Sequence, residues 1–248
     1  MDKLKRLGNK RAIQEAVLLL AMYWFYSSMR WLVARDSPYV PFQNLFKIIE
    51  LESQLGIFRE LAIQRWLLDH AIVVVHFANY FYTLGYFPFL IATGVYLFFR
   101  DEERFNVFKG TFILGLGLAL IGFSLFPLAP PRMLPELGFV DTQQLVGGIG
   151  LFNHKTALSF YNPYAAMPSM HFGWSLLVGL LISQVKKPLC RIIGFVYPAL
   201  MVLTIIVTGH HYLLDILGGG IVVGIAYFVV KFIAYSAKSK TVMTSRRA

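Results

Sequence analysis

Residues 190–208 read CRIIGFVYPALMVLTIIVT, an apolar run in which Arg191 is the only charged residue. A helix that crosses a lipid bilayer needs about 20 predominantly apolar residues. Comparable runs fall at about 16–34, 67–84, 86–99, 106–126, 171–185 and 212–235. The pattern predicts an all-α fold, a polytopic transmembrane helical bundle with six or seven spans. The run at 86–99 is short for a full crossing, so the number of spans depends on it.

The composition agrees with this class and excludes several others. Hydrophobic residues make up 57% of the chain and charged residues 15%, whereas a soluble domain carries about 25% charged residues. The net charge of +10 is accompanied by no nucleic-acid recognition motif, so we attribute it to cytoplasmic loops rich in Lys and Arg and expect no nucleic-acid partner. The single cysteine, Cys190, excludes an intramolecular disulfide and any multi-cysteine metal site.

Residues 42–66 differ from the apolar runs because charged residues separate the apolar ones. The apolar residues, at roughly helical spacing, are Phe42, Leu45, Phe46, Ile49, Leu55, Phe58 and Leu61, and the charged ones are Lys47, Glu50, Glu52, Arg59 and Glu60. This pattern predicts an interfacial amphipathic helix near the N-terminus, broken near Gly56, whose charged residues form a solvated face. We divide the chain into an uncleaved N-terminal anchor helix with this amphipathic segment (1–65), a membrane-embedded core (66–235) and a basic C-terminal tail (236–248).

The distribution of basic residues predicts the orientation of the bundle. Lys186, Lys187 and Arg191 flank one loop, and the C-terminal tail is also basic. Since cytoplasmic loops are enriched in Lys and Arg, the long connection before His171 and the turn at 209–211 should open on the non-cytoplasmic face. The basic N-terminus conflicts with seven spans, and six spans would remove the conflict.

Three motifs place strongly polar residues at helix ends on that predicted face. Residues 127–132 (PLAPPR) end one apolar run, and the prolines stop the helix and direct the chain. Arg132 then supplies a planar cation suited to bidentate phosphate binding. An arginine anchored among lipid headgroups explains this motif equally well.

The second motif, residues 166–171 (AMPSMH), begins the next apolar run. Ser169 is a good helix cap, which puts His171 in the first turn, where backbone N–H groups favour an anion. A histidine there can donate or accept a proton beside that anion. A plain helix cap with an incidental histidine is the alternative.

The third motif, residues 209–215 (GHHYLLD), precedes the last apolar run. Positions 211 and 215 lie one helical turn apart, so Asp215 can hold the ring of His211. The other ring nitrogen is then available as a base or nucleophile. A purely structural His–Asp pair is the alternative.

The three motifs in this order resemble the type 2 phosphatidic acid phosphatase superfamily, whose pattern is K-x6-R-P, then P-S-G-H, then S-R-x5-H-x3-D. The matching residues are Pro131 and Arg132, with the proline before the arginine, the segment 168–171, and His211 with Asp215. The AMPSMH and GHHYLLD segments look like the inositol phosphorylceramide synthase (inositolphosphotransferase) branch and its bacterial relatives. The resemblance covers roughly residues 66–235.

The resemblance implies a lipid phosphatase or phosphotransferase that needs no metal or other cofactor and resides in a plasma membrane of the bacterial type. His211 would attack phosphorus and form a phosphohistidine, Asp215 would orient it, and His171 would act as acid and base. Arg132, Ser169 and His210 would bind the phosphate. The substrate would be a phospholipid or isoprenoid phosphate that enters from the bilayer, and either water or an alcohol could be the acceptor.

The chain departs from the family pattern at four positions. Leu125 stands at the lysine position, Thr204-Ile205 at the Ser-Arg pair, and Met170 at the glycine before the second histidine. At least two phosphate-binding cations are therefore missing, and His210, Lys155 and Tyr161 are the candidates to replace them.

Two other functional classes remain possible on the sequence. A haem or metal protein would use His70, His76, His171, His210 or His211 as ligands, but His70 and His76 should point to different faces of one helix. A transporter or non-catalytic scaffold would need none of the histidines for chemistry. Transporters usually place polar groups near the bilayer midplane instead of at one surface.

Overall fold

A computed structural model describes residues 2–33, 39–147 and 162–245. Within these ranges the fold is all-α, as the sequence predicts, with ten α-helices and no strand beyond one isolated bridge between Leu128 and Ala165. The helices are α1 (Asp2–Val33), α2 (Tyr39–Gln54), α3 (Glu60–His70), α4 (Ile72–Leu84), α5 (Phe87–Arg100), α6 (Glu102–Leu125), α7 (Thr142–Val146), α8 (Met170–Ser183), α9 (Pro188–Val207) and α10 (Leu213–Ser245).

Among the residues that the structure describes, three segments are long and apolar enough to cross a membrane as single helices: Glu102–Leu125, Pro188–Val207 and Leu213–Ser239. Helices α3 and α4 pass the same test as a pair, but they are bent by 118° at the break between them. Helices α5 and α8 are apolar with 14 residues each, which at 1.5 Å per residue is about 21 Å, shorter than the hydrocarbon core of about 30 Å. Three long apolar helices fit a membrane protein, while the number of six or seven spans stays a prediction.

The centre of the bundle is formed by α6, α8, α9 and α10. Helix α8 packs against both α9 and α10, and α10 packs along α6. The contact between α8 and α10 depends on Gly219, since a Cβ there would collide with the carbonyl oxygen of Ser169 at the start of α8. Small residues at helix crossings allow this close approach in membrane proteins. The crossing brings the first turns of α8 and α10 together.

The segment that contains α2 and α3 is broken near Gly56, as predicted. Helix α2 ends at Gln54, and Gly56 has a φ of 70°, which a glycine adopts without strain. The prediction that all charged residues of this segment are solvated is wrong for Glu52 and Glu60, both of which are 0% exposed. Lys47, Glu50 and Arg59 are exposed, as expected.

Glu52 and Glu60 are buried because they bind the start of α10. The N–H of Leu214 donates to Glu52 Oε1 at 2.7 Å, and the N–H of Leu213 donates to Glu60 Oε1 at 2.8 Å. The first N–H groups of a helix have no partner within the helix, so the side-chain oxygens of Glu52 and Glu60 stabilise them as hydrogen-bond acceptors. The amphipathic segment therefore fixes the helix that follows the GHHYLLD motif.

Candidate active site

The turn between α9 and α10 positions the two adjacent histidines. Helix α9 ends at Val207, and Gly209 has a φ of 68°, which reverses the chain direction at little steric cost. The N–H groups of His210 and His211 both donate to the carbonyl of Ile205, at 3.0 and 3.3 Å. The backbone of the turn is thus held by α9, and both imidazole rings are buried.

His211 lies between Asp215 and His171. Its Nδ1 is 3.3 Å from Asp215 Oδ2, and its Nε2 is 3.5 Å from His171 Nδ1. Asp215 Oδ2 also accepts a hydrogen bond from the N–H of Tyr212 at 2.9 Å, which fixes the carboxylate. With the ring proton on Nδ1 donated to Asp215, Nε2 of His211 keeps its lone pair and faces His171. The spacing predicted from the sequence thus produces a His–His–Asp chain.

Tyr82 of α4 stacks on two of the histidines. Its ring centroid lies 4.4 Å from that of His171 and 4.0 Å from that of His210, with interplanar angles of 28° and 27°. Tyr86 contacts His171 from another side, at 4.5 Å. His210 Nδ1 is 2.8 Å from the hydroxyl of Thr208, which orients the ring. Tyr82 and Tyr86 thus set the positions of His171 and His210.

Arg132 is tied to the histidine turn through its backbone. Its N–H donates to the carbonyl of Gly209 at 2.8 Å, and its Nε lies 3.6 Å from Asp141 Oδ2. The PLAPPR and AMPSMH segments are joined to each other, because Ala166 N–H donates to Leu128 O at 3.3 Å. The three motifs therefore meet in space.

Ser169 and Asp215 lie behind the histidines and do not line the cavity described next. Ser169 is 0% exposed; its hydroxyl accepts from the N–H of Phe172 at 3.5 Å, and its own N–H donates to the carbonyl of Asp215 at 2.9 Å. The side chain of Ser169 thus caps α8, as the sequence predicts, and contributes no group to the cavity wall. Lys155 and Tyr161 fall outside the described residues.

A cavity of about 580 Å³ opens beside the histidines. His171, His210, His211 and Arg132 line it, together with aromatic residues of α1, α4 and α5 and Arg30 of α1. Burial and the positive charge of Arg132 lower the pKa of His211 to about 3, with a further contribution from Arg30. His211 is therefore neutral at physiological pH, as a nitrogen nucleophile must be, and the two arginines favour an anion in the cavity.

Several residues around this site were not singled out from the sequence. Arg30 and Tyr82 line the cavity, while Gln64 is fully buried beneath the histidine turn. Gln64 Nε2 donates to Val140 O and Val207 O, each at 2.9 Å, and its Oε1 accepts from Val140 N–H at 2.9 Å. Gln64 could have been found in the sequence as a polar residue on the apolar side of a helix, one turn after Glu60.

His70 and His76, considered as haem or metal ligands, are exposed and stand apart from the cavity. His70 Nδ1 lies 3.0 Å from the carbonyl of Trp66 in its own helix. The two histidines therefore belong to no common site with His171, His210 and His211.

The fold is all-α with long apolar helices that fit a membrane protein, and the site is a buried His–His–Asp chain whose cavity is also lined by two arginines. The family model of the PAP2 superfamily matches residues 46–229, and the chain belongs to this superfamily. No curated protein and no solved structure matches the chain.

Proposed function

We propose that the protein is an integral membrane lipid phosphatase or phosphotransferase that acts through a phosphohistidine on His211. The observation that carries the proposal is the chain from Asp215 through His211 to His171 at the edge of a cavity lined by Arg132. Membership of the PAP2 superfamily supports phosphoester chemistry on a lipid. Arg132 and His210 bind the phosphate. Ser169 contributes indirectly, because it caps α8 and so holds the backbone at the start of that helix. Lys155 and Tyr161 are proposed to contact substrate.

The reaction has two steps. Nε2 of His211 attacks phosphorus; the P–N bond forms while the P–O bond to the leaving group breaks, and His171 gives a proton to the leaving oxygen. In the second step His171 takes a proton from the acceptor hydroxyl, whose oxygen attacks phosphorus, and the P–N electron pair returns to His211. In both steps Asp215 accepts a hydrogen bond from the Nδ1–H of His211 and stabilises the positive charge that develops on the ring. Arg132 stabilises the equatorial oxygens.

We assign the protein to the inositol phosphorylceramide synthase-like branch and expect a phospholipid or isoprenoid phosphate that enters from the bilayer. The AMPSMH and GHHYLLD segments support this branch. Water as acceptor makes the enzyme a hydrolase, and an alcohol makes it a transferase. The same residues serve both reactions, so the acceptor must be identified from the products.

The membrane arrangement belongs to the same proposal. It has six or seven spans, α2 in the interface, the 66–235 core between the 1–65 and 236–248 segments, and the cavity on the non-cytoplasmic face of a bacterial-type plasma membrane. Lys186, Lys187 and Arg191 support the sidedness, since they lie at the ends of α8 and α9 opposite to the histidines.

Product analysis with purified full-length protein tests the reaction. Phosphorus-labelled phosphatidic acid, an isoprenoid diphosphate and an inositol phospholipid are incubated with and without alcohol acceptors, in the presence of chelator. Wild type should release phosphate or form a new phospholipid, and His211→Ala should lose about 10⁴-fold or more in rate. His76→Ala, which changes an exposed histidine outside the cavity, is the matched control. Equal turnover by wild type and His211→Ala would contradict the proposal.

A further inference from the structure

Helix α1 contributes one wall of the cavity. Tyr23, Tyr26, Ser27 and Arg30 of this helix line the same space as His171 and His211. The match to the PAP2 superfamily begins at residue 46, so this wall comes from outside the matched part of the chain. The sequence alone indicated only an anchor helix here.

The position of α1 is fixed by contacts at both ends of the helix. At one end, Lys109 Nζ of α6 lies 2.7 Å from Glu15 Oε1 in a partly buried ion pair, whereas the nearby Arg11–Glu102 pair is exposed and contributes little. At the other end, Asn162 Nδ2 donates to the carbonyl of Arg30 at 2.9 Å. Asn162 is 2% exposed and precedes the AMPSMH segment. The last turn of α1 is therefore coupled to the segment that leads to His171.

The positions where the family pattern has cations provide none here. Leu125 is 79% exposed at the end of α6, and Ile205 is 0% exposed in the apolar core. Arg132 is the cation that remains from the pattern, and the Asp141 carboxylate 3.6 Å away offsets part of its charge. A phosphoryl group in transfer spreads negative charge over its equatorial oxygens, and one partly neutralised arginine stabilises it weakly.

Arg30 lies where it can supply the missing charge. Its positive charge acts on His211, as that of Arg132 does, and it also acts on Tyr23 and Tyr26 beside it. The guanidinium thus lies within electrostatic range of the nucleophile, and Arg30 and Arg132 line the same cavity from different segments of the chain. Guanidinium groups bind phosphoryl oxygens with two parallel hydrogen bonds.

We propose that Arg30 is a second phosphate-binding residue and that α1 is an integral part of the substrate site, with Arg30 and Arg132 gripping the phosphoryl oxygens from two sides. This inference rests on the proposed function. Tyr23 and Tyr26 then form an aromatic wall beside the phosphate, against which the group attached to phosphorus packs.

The test uses full-length protein in detergent with Arg30→Gln, Arg30→Met and Arg30→Lys, and with Arg11→Gln as the matched control. Arg11 lies on the same helix in an exposed ion pair away from the cavity. Two readouts are taken: kcat and KM on the substrate that wild type turns over, and the affinity for orthovanadate, a mimic of the phosphoryl group. Thermal unfolding shows whether each variant is folded.

We expect Arg30→Gln and Arg30→Met to lose about 100- to 1000-fold in kcat/KM and about 10- to 100-fold in orthovanadate affinity. Arg30→Lys should recover part of both losses because it restores the charge, and Arg11→Gln should match wild type. If Arg30→Gln and Arg30→Met match Arg11→Gln, the inference is wrong. Folded Arg30→Lys protein as weak as Arg30→Met would also overturn it, since lost packing would then explain the effect.

The two proposals fail in different ways. Turnover that depends on His211 but not on Arg30 would refute only the role of Arg30. Orthovanadate binding that depends on Arg30, in a protein whose turnover does not need His211, would refute the phosphohistidine mechanism and leave the anion site.

Discussion

Tyr82 holds His171 and His210 at fixed positions by stacking between them, with ring centroids 4.4 and 4.0 Å away. Aromatic pairs of this kind contribute about 0.5–1.5 kcal/mol beyond the area they bury. In the proposed mechanism His171 must lie close to both the leaving oxygen and His211, so a change in its position would affect proton transfer directly. Tyr82 is thus a positioning residue for His171.

Replacing Tyr82 should therefore affect the rate more than substrate binding. Tyr82→Phe keeps the stacked ring and should retain most of the activity. Tyr82→Leu should lower kcat by about 100-fold, the effect of a misplacement of about 1 Å. Steady-state kinetics with Tyr80→Leu, an exposed tyrosine on the same helix, as control would check this. If Tyr82→Leu changed KM and left kcat as in wild type, the positioning role would be wrong.

At the scale of elements, the contact between α2 and α10 has a pH dependence of its own. Burial and the neighbouring carboxyl group of Glu60 raise the pKa of Glu52 to about 8, from an ordinary value of 4.5. At pH values between these two pKa values, Glu52 keeps its proton in the native state and has released it in the unfolded state. The free energy of unfolding should therefore fall as the pH rises from 4.5 to about 8.

Glu52→Gln should remove this decline, because the amide stays neutral and its oxygen still accepts from the N–H of Leu214. Chemical unfolding in detergent at a series of pH values measures how the free energy of unfolding of each protein depends on pH. Glu50→Gln, an exposed position on the same helix, should leave the pH dependence as in wild type. Parallel pH curves for wild type and Glu52→Gln would show that Glu52 is ionised in the native state.

A second prediction at the scale of elements concerns the stability of the crossing between α8 and α10. Gly219→Ala places a methyl group against the carbonyl of Ser169, so we expect a loss of about 1–3 kcal/mol in the free energy of unfolding. Gly224→Ala, on the same helix with open space around it, should be neutral or stabilise by about 0.5–1 kcal/mol. Equal stability of the two variants would show that α8 and α10 lie further apart.

At the scale of the whole molecule, the orientation in the membrane can be tested with the single cysteine of the chain. In a Cys190→Ser background, Glu136→Cys and Lys186→Cys place one thiol each on exposed residues at opposite ends of the bundle. A membrane-impermeant maleimide should label Glu136→Cys in intact cells and Lys186→Cys only after permeabilisation. The reverse pattern would place the cavity on the cytoplasmic face.

The helical class and the meeting of the three motifs follow from the sequence by simple geometry. Successive apolar helices alternate in direction, so residues near 132, 171 and 211 come to the same end of the bundle, and the spacing of His211 and Asp215 fixes their contact.

The roles of Glu52, Glu60 and Arg30 could not be predicted, because they depend on contacts between segments distant in sequence. A carboxylate between apolar residues looks solvated until the start of α10 is placed beside it. An arginine at the end of an apolar run looks like a headgroup anchor until α1 is placed along the cavity.

Trapping the covalent intermediate tests the central claim most directly. Wild type, His211→Ala and His76→Ala are mixed with lipid labelled in the phosphate, quenched within milliseconds, and mapped by mass spectrometry. The mechanism predicts an acid-labile, alkali-stable phosphate on His211 in wild type and His76→Ala, and none in His211→Ala. Label that persists in His211→Ala, or turnover by wild type without any phosphoenzyme, would contradict it.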